Sequence, residues 1–286
     1  MKGGSELQDL ISEFGDWMGA ANASLSTIRL REVVLRLADR ELPNGLLAIE
    51  SELAAWLRGT HKRPWSPKTR ATYYECLFAF YDWCVDNRKL DRNPMLKLKR
   101  PRVPRGVPRP VTDAQLAALL DSEQPWRLAV VLAAYAGLRC CEIATLTAAD
   151  VTEDQIRVTG KGGVTALVDM HPRVWSELQA ILRVAGSPIT KRAEPFIVLA
   201  GGMSDAGWIT RRAGPYFRRR LGLKVTLHQC RHWYGTNVLA ATGNVEAARQ
   251  ALRHSSIATT QRYIELQDGQ RRRGILALPV RDAVTG

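Results

Sequence analysis

The 286-residue sequence has no run approaching 18 apolar residues, which excludes a transmembrane helix of ordinary length. It has no N-terminal apolar stretch of signal-peptide length, so a cytoplasmic or nucleoid-associated protein is expected. Its five cysteines (Cys76, Cys84, Cys140, Cys141, Cys230) are odd in number and share no repeated spacing. That excludes a disulfide scaffold and leaves buried thiols in a reducing compartment. No strand–helix–strand repeat suggests a Rossmann arrangement. GKGG at Gly160–Gly163 lacks the GxxxxGK[ST] spacing of a P-loop and lies between two short β-branched runs, so nucleotide binding by that motif is set aside.

Acidic charge is missing from one stretch in particular. Residues 93–110 carry six basic side chains and no acidic one, whereas residues 1–92 carry 13 of each sign. Residues 111–286 carry 22 basic against 15 acidic, and the whole chain sums to a formal +13. A neutral part, a basic strap and a basic part point to a polyanion, with nucleic acid ahead of a membrane surface. Charge alone leaves a merely soluble basic protein as the other reading. The strap, NPMLKLKRPRVPRGVPRP, also holds five prolines, which disfavour helix interior and central strand. It is therefore read as an extended linker dividing the chain into residues 1–92 and 111–286.

Residues 1–92 read as an all-helical bundle. Leu7, Leu10, Ile11, Phe14 and Trp17 recur at spacings of three and four over residues 5–20, the pattern of one buried helical stripe. Ser24 or Ser26 caps a second helix to about Arg40, with Ile28, Leu30, Val33, Val34 and Leu37 inward. LPNG breaks the chain, and residues 46–58 form a third helix that ends before Gly59. Ser66 caps a fourth, with Pro67 at its first position, whose aromatic run Tyr73 to Trp83 supplies the core.

In the second part, Thr112 and Gln115 form a capping box for a helix to Leu120, and an apolar helix follows over Trp126–Ala136. Gln155–Thr159 and Val164–Val168 read as a hairpin, and His171–Val184 as a helix. Pro195–Ala200 is either a strand or a buried turn, Gly201–Gly207 a loop, and Ile209–Leu221 a basic helix ending in FRRR. A further helix over Thr226–Ala240 places His228, Arg231 and His232 on one side, at i, i+3 and i+4. Asn244 caps a short helix through Leu252, and a turn or helix from Ser256 carries Tyr263.

Polar groups thus recur where an ordinary core helix would be apolar. Arg139, in AGLRCCEI at the end of the apolar helix, is costly to bury unless an anion meets it, and Glu142 three residues on is the bland partner. His228, Cys230 and His232 make an HxCxH run, but on a helix Cys230 points away from His228 and Arg231 crowds the site with like charge, so zinc is disfavoured.

These boxes in this order, Ala136–Ile143, Gly160–Gly163, Val225–Arg231 and Tyr263, resemble the tyrosine recombinases (phage integrases and Xer-type resolvases) over essentially the whole chain. The resemblance implies a mainly α fold: an N-terminal helical bundle (a SAM-like core-binding domain), then a mostly helical catalytic domain with a small antiparallel sheet, together a C-shaped DNA clamp. It implies catalytic roles for Arg139, Lys161, His228, Arg231, His254 and Tyr263, with Glu142 and His232 in support. Two planar forks suit the oxygens of one phosphodiester, and Lys161 would protonate the leaving 5′-oxygen. Attack by Tyr263 would make a 3′-phosphotyrosyl link that a 5′-hydroxyl can reverse, so neither ATP, metal nor other cofactor is needed. Lys62, Arg63, Lys68, Arg70, Lys97, Lys99, Arg100, Arg102, Arg105, Arg109 and Arg253 are the expected DNA contacts. Arg253 stands where the family commonly has glycine, and GVTALV after the hairpin tip lacks the family's usual basic residues.

The implied function is integration of a phage or mobile element, without a separate arm-binding domain. An Xer-like dimer resolvase, a type IB topoisomerase and a catalytically inactive DNA-binding protein are the alternatives. The implied partners are duplex attachment or crossover sites, an accessory excision factor, and three further copies of the chain, which is expected to be a monomer when free. The apolar patch Ile275, Leu276, Leu278 and Val280, within the segment 267–286, is the expected exchange surface between protomers, with packing on its own domain as the bland reading.

Overall fold

A computed structural model of the chain describes residues 3–59, 64–104, 108–160, 163, 165–184 and 193–253, with side chains from residue 9 on. Among these the fold is mainly helical, with one antiparallel pair of strands. The chain divides into two compact units, Met1–Arg105 and Gly106–Gly286.

The first unit holds α1 (Gly3–Ala20), α2 (Leu25–Glu41), α3 (Glu50–Arg58) and α4 (Pro67–Asp86). Local chemistry sets the starts of two of them. Ser24 Oγ accepts from Thr27 N at the start of α2, and Ser66 Oγ from Thr69 N at the start of α4, where Pro67 follows. The α1/α2 loop needs no glycine, but the α2/α3 connection does: Gly45 takes φ +54 and opens a 3₁₀ turn, Gly45–Leu47. The core is aromatic. Phe14 meets Phe80 edge-on at 5.6 Å and Trp83 at 5.4 Å, while buried Tyr81 donates to Leu46 O at 3.0 Å.

Four expectations shift here. The inward face of α2 is Val34, Leu35 and Ala38, whereas Leu30 and Val33 are exposed. Trp17 is half exposed, and the buried stripe of α1 is Ile11, Phe14 and Met18. A shift of one residue along a helix turns the stripe by about 100°, and a wide apolar face makes such a shift hard to see in sequence. The third helix starts at Glu50, because the 3₁₀ turn takes up residues 45–47. The basic strap is not free chain at its start, since Asn93 and Met95 are buried and Leu98 O accepts from Tyr74 OH at 2.9 Å.

The second unit is built around α6 (Trp126–Tyr135), which is buried along almost its whole length. Around it lie α5 (Asp113–Leu120), α7 (Cys140–Thr145), α8 (Pro172–Val184), α9 (Phe196–Leu199), α10 (Ala206–Leu221), α11 (Leu227–Thr242) and α12 (Val245–Leu252). Thr112 and Gln115 cap α5 reciprocally, at 3.2 and 3.0 Å. β1 (Gln155–Thr159) pairs with β2 (Thr165–Asp169) in antiparallel register, Gln155 opposite Asp169 and Thr159 opposite Thr165. The run at Pro195–Ala200, read as strand or turn, is the short helix α9, with Pro195 bridged to Thr147. The expected loop 201–207 ends early, because Asp205 caps α10 through Gly207 N and Trp208 N.

Candidate active site

The site lies in the second unit, where the end of α6, the start of α7, the first half of α11 and the end of α12 come together. Arg139 stands just before α7. Its main-chain N donates to Glu142 Oε2 and its Nη1 to Glu142 Oε1, both at 2.8 Å. The spacing-based pair of Arg139 and Glu142 is therefore present, and it is not the whole arrangement. Arg139 Nη2 also donates to Arg253 O at 3.0 Å and to Leu252 O at 3.5 Å.

Arg231, on α11, is buried to 3% exposure. Its Nη1 donates to Gly137 O and its Nη2 to Leu252 O. Arg253 closes the ring: its Nη2 lies 2.7 Å from Glu142 Oε2 and 3.1 Å from Gly137 O, and its Nη1 donates to Ala251 O. The guanidiniums of Arg139 and Arg253 thus bracket one carboxylate, while that of Arg231 meets main-chain oxygens beside them. The carbonyls of Leu252 and Arg253 sit at the C-terminal end of α12, which carries partial negative charge and suits cations. Among the described residues the cluster brings three guanidiniums together with one carboxylate, a positive balance that suits an anion.

Burial favours the neutral form of Glu142, yet Arg253 and Arg139 outweigh it and hold the carboxyl below its ordinary value. Its side chain is 1% exposed, against 11% for Arg253 and 37% for Arg139. Arg139 is thus the one of the two that keeps an open face.

Gly137 makes this packing feasible. Its φ is +58, and a Cβ there would stand 2.5 Å from Tyr234 Cδ1. Tyr234 is largely buried against this glycine; burial pushes its phenol up, and Arg253 and Arg231 pull the other way. His228 and His232 follow Arg231's helix on its open side, with ring centroids 4.3 Å apart at 65°. His228 is exposed, while Cys230 is fully buried and its thiol is pushed up to about 12 by burial. The helix therefore turns this cysteine away from His228, and among the described residues no group of three or more His, Cys, Asp or Glu is placed to hold a metal.

Of the other residues singled out in the sequence, Lys68, Lys97, Lys99, Arg100, Arg102 and Arg109 are exposed and Arg70 is partly buried. Arg100 is paired with Glu75 at 2.5 Å. Lys62, Arg63, Arg105, Lys161, His254, Tyr263 and the segment 267–286 lie outside the described residues, as does the side chain of Leu7. Sequence reasoning placed Arg253 at the DNA but missed its contact with Glu142. The signal available was its position just after a short helix, where a left-handed residue turns its side chain back.

Residues 111–270 match the model of a family described as the phage integrase family. The tyrosine recombinase XerD of Xanthomonas axonopodis pv. citri is 28% identical over 284 residues, covering 91% of this chain and 92% of that protein. The tyrosine recombinase XerC of Myxococcus xanthus is 28% identical over 224 residues, covering 73% of this chain and 75% of that one. A solved lambda integrase dimer bound to a COC' core site matches with a TM-score of 0.69 at 14% identity, over 98% of this chain and 80% of that one, a likeness of fold.

Proposed function

The chain belongs to the phage integrase family, and from that premise we propose that it is a tyrosine-type site-specific DNA recombinase. The observation that carries the reading is the convergence of Arg139 and Arg231 on one oxygen, that of Leu252, within a cluster bearing excess positive charge. Two planar forks held to a common point match the oxygens of a single phosphodiester, and they stabilise the charge that develops at five-coordinate phosphorus.

In this reading Tyr263 attacks phosphorus, forms the 3′-phosphotyrosyl bond and releases a 5′-hydroxyl, while Lys161 supplies that oxygen with its proton. His228 and His254 serve as hydrogen-bond donors or proton carriers at the phosphate, with Glu142 and His232 holding the neighbours in place. A second 5′-hydroxyl then displaces the tyrosine, so bond energy is conserved and no cofactor enters. Residues 1–92 act as a SAM-like core-binding domain that closes a C-shaped clamp on duplex DNA through the basic strap 93–110. Lys68 in the first turn of α4, and Lys97, Lys99, Arg102 and Arg109 on the strap, are exposed and suited to phosphate contacts. Four protomers on paired sites are required for two rounds of paired cleavage, and the tail after residue 266 joins them. The reaction takes place in a bacterial cytoplasm.

The element integrated is a phage or other mobile DNA. An Xer-like resolvase is the second reading, favoured by the end-to-end coverage of the XerD relative. The test is covalent capture: the full-length protein is incubated with a pool of nicked duplexes carrying a randomised centre. Denaturant-resistant adducts that yield one enriched sequence support the reading. Binding of an enriched sequence without any adduct would leave an inactive DNA-binding protein, and adducts on intact plasmid accompanied by relaxation alone would indicate a topoisomerase.

A further inference from the structure

Arg253 is an unusual residue for its backbone. It ends α12 at φ +53, in the left-handed region that glycine occupies without strain and a long side chain does not. It also brings a largely buried guanidinium whose Nε has no hydrogen-bond partner among the described residues. Both features are unfavourable, so something must offset them. The offset is the contact with Glu142 Oε2 at 2.7 Å, joined by Gly137 O at 3.1 Å.

Among the described residues Glu142 is the one carboxylate in the cluster. With Arg139 as its sole partner, the two charges would cancel, and the guanidinium would present little net attraction to an incoming phosphate. With Arg253 on its other side, the carboxylate is shared, and one unit of positive charge is returned to the open face of Arg139. Arg253 does not itself reach out: its Nη2 donates to Glu142 and Gly137 O, its Nη1 donates to Ala251 O, and its side chain is 11% exposed.

We propose that Arg253 is a positioning residue for phosphate capture, which takes up the charge of Glu142 so that Arg139 meets the phosphodiester as an uncompensated cation. This rests on the reading of Arg139 as a phosphate ligand. It adds a residue at a position where glycine would fit the backbone better, and it gives that residue a task exerted through another side chain.

The test uses the full-length protein and two probes, inorganic phosphate and orthovanadate, titrated by calorimetry at constant ionic strength. Only the signal that disappears in Arg139→Ala is counted, which removes binding elsewhere on a basic protein. Arg253→Gly is expected to weaken probe binding roughly tenfold, and Arg253→Lys, which keeps the charge, to stay within about threefold of the parent. In a Glu142→Gln background, Arg253→Gly is expected to change affinity by less than about twofold, because no carboxylate is left to neutralise. Thermal unfolding of each variant accompanies the titrations, and the glycine and lysine variants are expected to unfold cooperatively.

Unchanged or tighter binding by Arg253→Gly overturns the proposal. So does an equal loss in Arg253→Lys, which marks a packing role, or a full loss in the Glu142→Gln background, which marks direct contact with the ligand. Failure of the recombinase reading is seen separately: the covalent capture would give no adduct while the Arg139-dependent probe signal and its dependence on Arg253 persisted.

Discussion

Arg139, just before α7, and Arg231, on α11, donate to the same main-chain oxygen, that of Leu252. The second fork is therefore registered against the first by the end of α12, and a displacement of that helix would part them. The two arginines differ in exposure. Arg139, 37% exposed on its side chain, keeps a face open to a ligand while it holds Glu142. Arg231 is buried, and its loss leaves the oxygens of Gly137 and Leu252 without its donors.

Arg139→Ala is expected to cost about 1–3 kcal/mol because it leaves buried Glu142 Oε1 without its donor, and Arg231→Ala a similar amount through lost buried hydrogen bonds and the space its side chain vacates. Both should depress DNA cleavage far more than DNA binding, because their donors act mainly on charge that develops during the reaction. Urea unfolding and single-turnover cleavage on the same preparations check the two halves of the statement.

Glu142 makes stability depend on pH. Burial would raise its carboxyl, but Arg253 and Arg139 lower it overall from the ordinary value of 4.5. A depressed carboxyl contributes stability that is present above its unfolded value and is lost as pH falls through the folded one. The parent should therefore lose stability below about pH 4.5 more steeply than Glu142→Gln, and the two urea-midpoint curves should converge at the acid end. Parallel curves down through that range would remove Glu142 as the titrating group.

Gly137→Ala should be damaging twice over. A Cβ would meet Tyr234 Cδ1 at 2.5 Å, and φ +58 is unfavourable for alanine in any surroundings. A destabilisation of about 1–3 kcal/mol is expected. Because Gly137 O holds both Arg231 and Arg253, cleavage should fall as well. Adding Tyr234→Ala relieves the collision but not the backbone strain, so thermal unfolding of the double variant should show partial recovery.

Tyr263→Phe removes a single hydroxyl. Duplex binding should persist while the covalent adduct disappears, as read on denaturing gels after incubation with the captured duplex. An adduct in the phenylalanine variant would assign the nucleophile to another tyrosine.

Removal of residues 274–286 takes away Ile275, Leu276, Leu278 and Val280. The expected outcome is an intact monomer that assembles poorly on paired sites, seen by sedimentation with cognate duplex. Equal yields of the four-protomer complex from truncated and full-length protein would dispose of exchange through the tail.

Much of the helical framework was legible because its start signals are local. Ser24, Ser66–Pro67, Thr112 with Gln115, and Asn244 each bond to main-chain groups two or three residues away, so sequence alone predicts them. The Arg139–Glu142 pair was legible for the same reason. What escaped were features set at long range. The short helix α9 depends on a bridge to Thr147, and the exposed faces of Leu30 and Val33 depend on where α1 and α4 lie against α2. The direction of Arg253 was illegible in the same way, since it follows from a left-handed residue at the end of α12 meeting a carboxylate more than a hundred positions earlier.

The arginines of the cluster draw most of their anchorage from oxygens that belong to the main chain, at Gly137, Leu252 and Arg253. Such an acceptor is supplied by every amino acid alike. Exchange of the side chain at position 252 for another that keeps α12 seated would leave Arg139 and Arg231 their common point. Drift in sequence around the pocket is thus cheap for as long as the path of the backbone is kept. The residues with least latitude are then those that shape that path, Gly137 foremost among them, although it contributes no side chain to the chemistry.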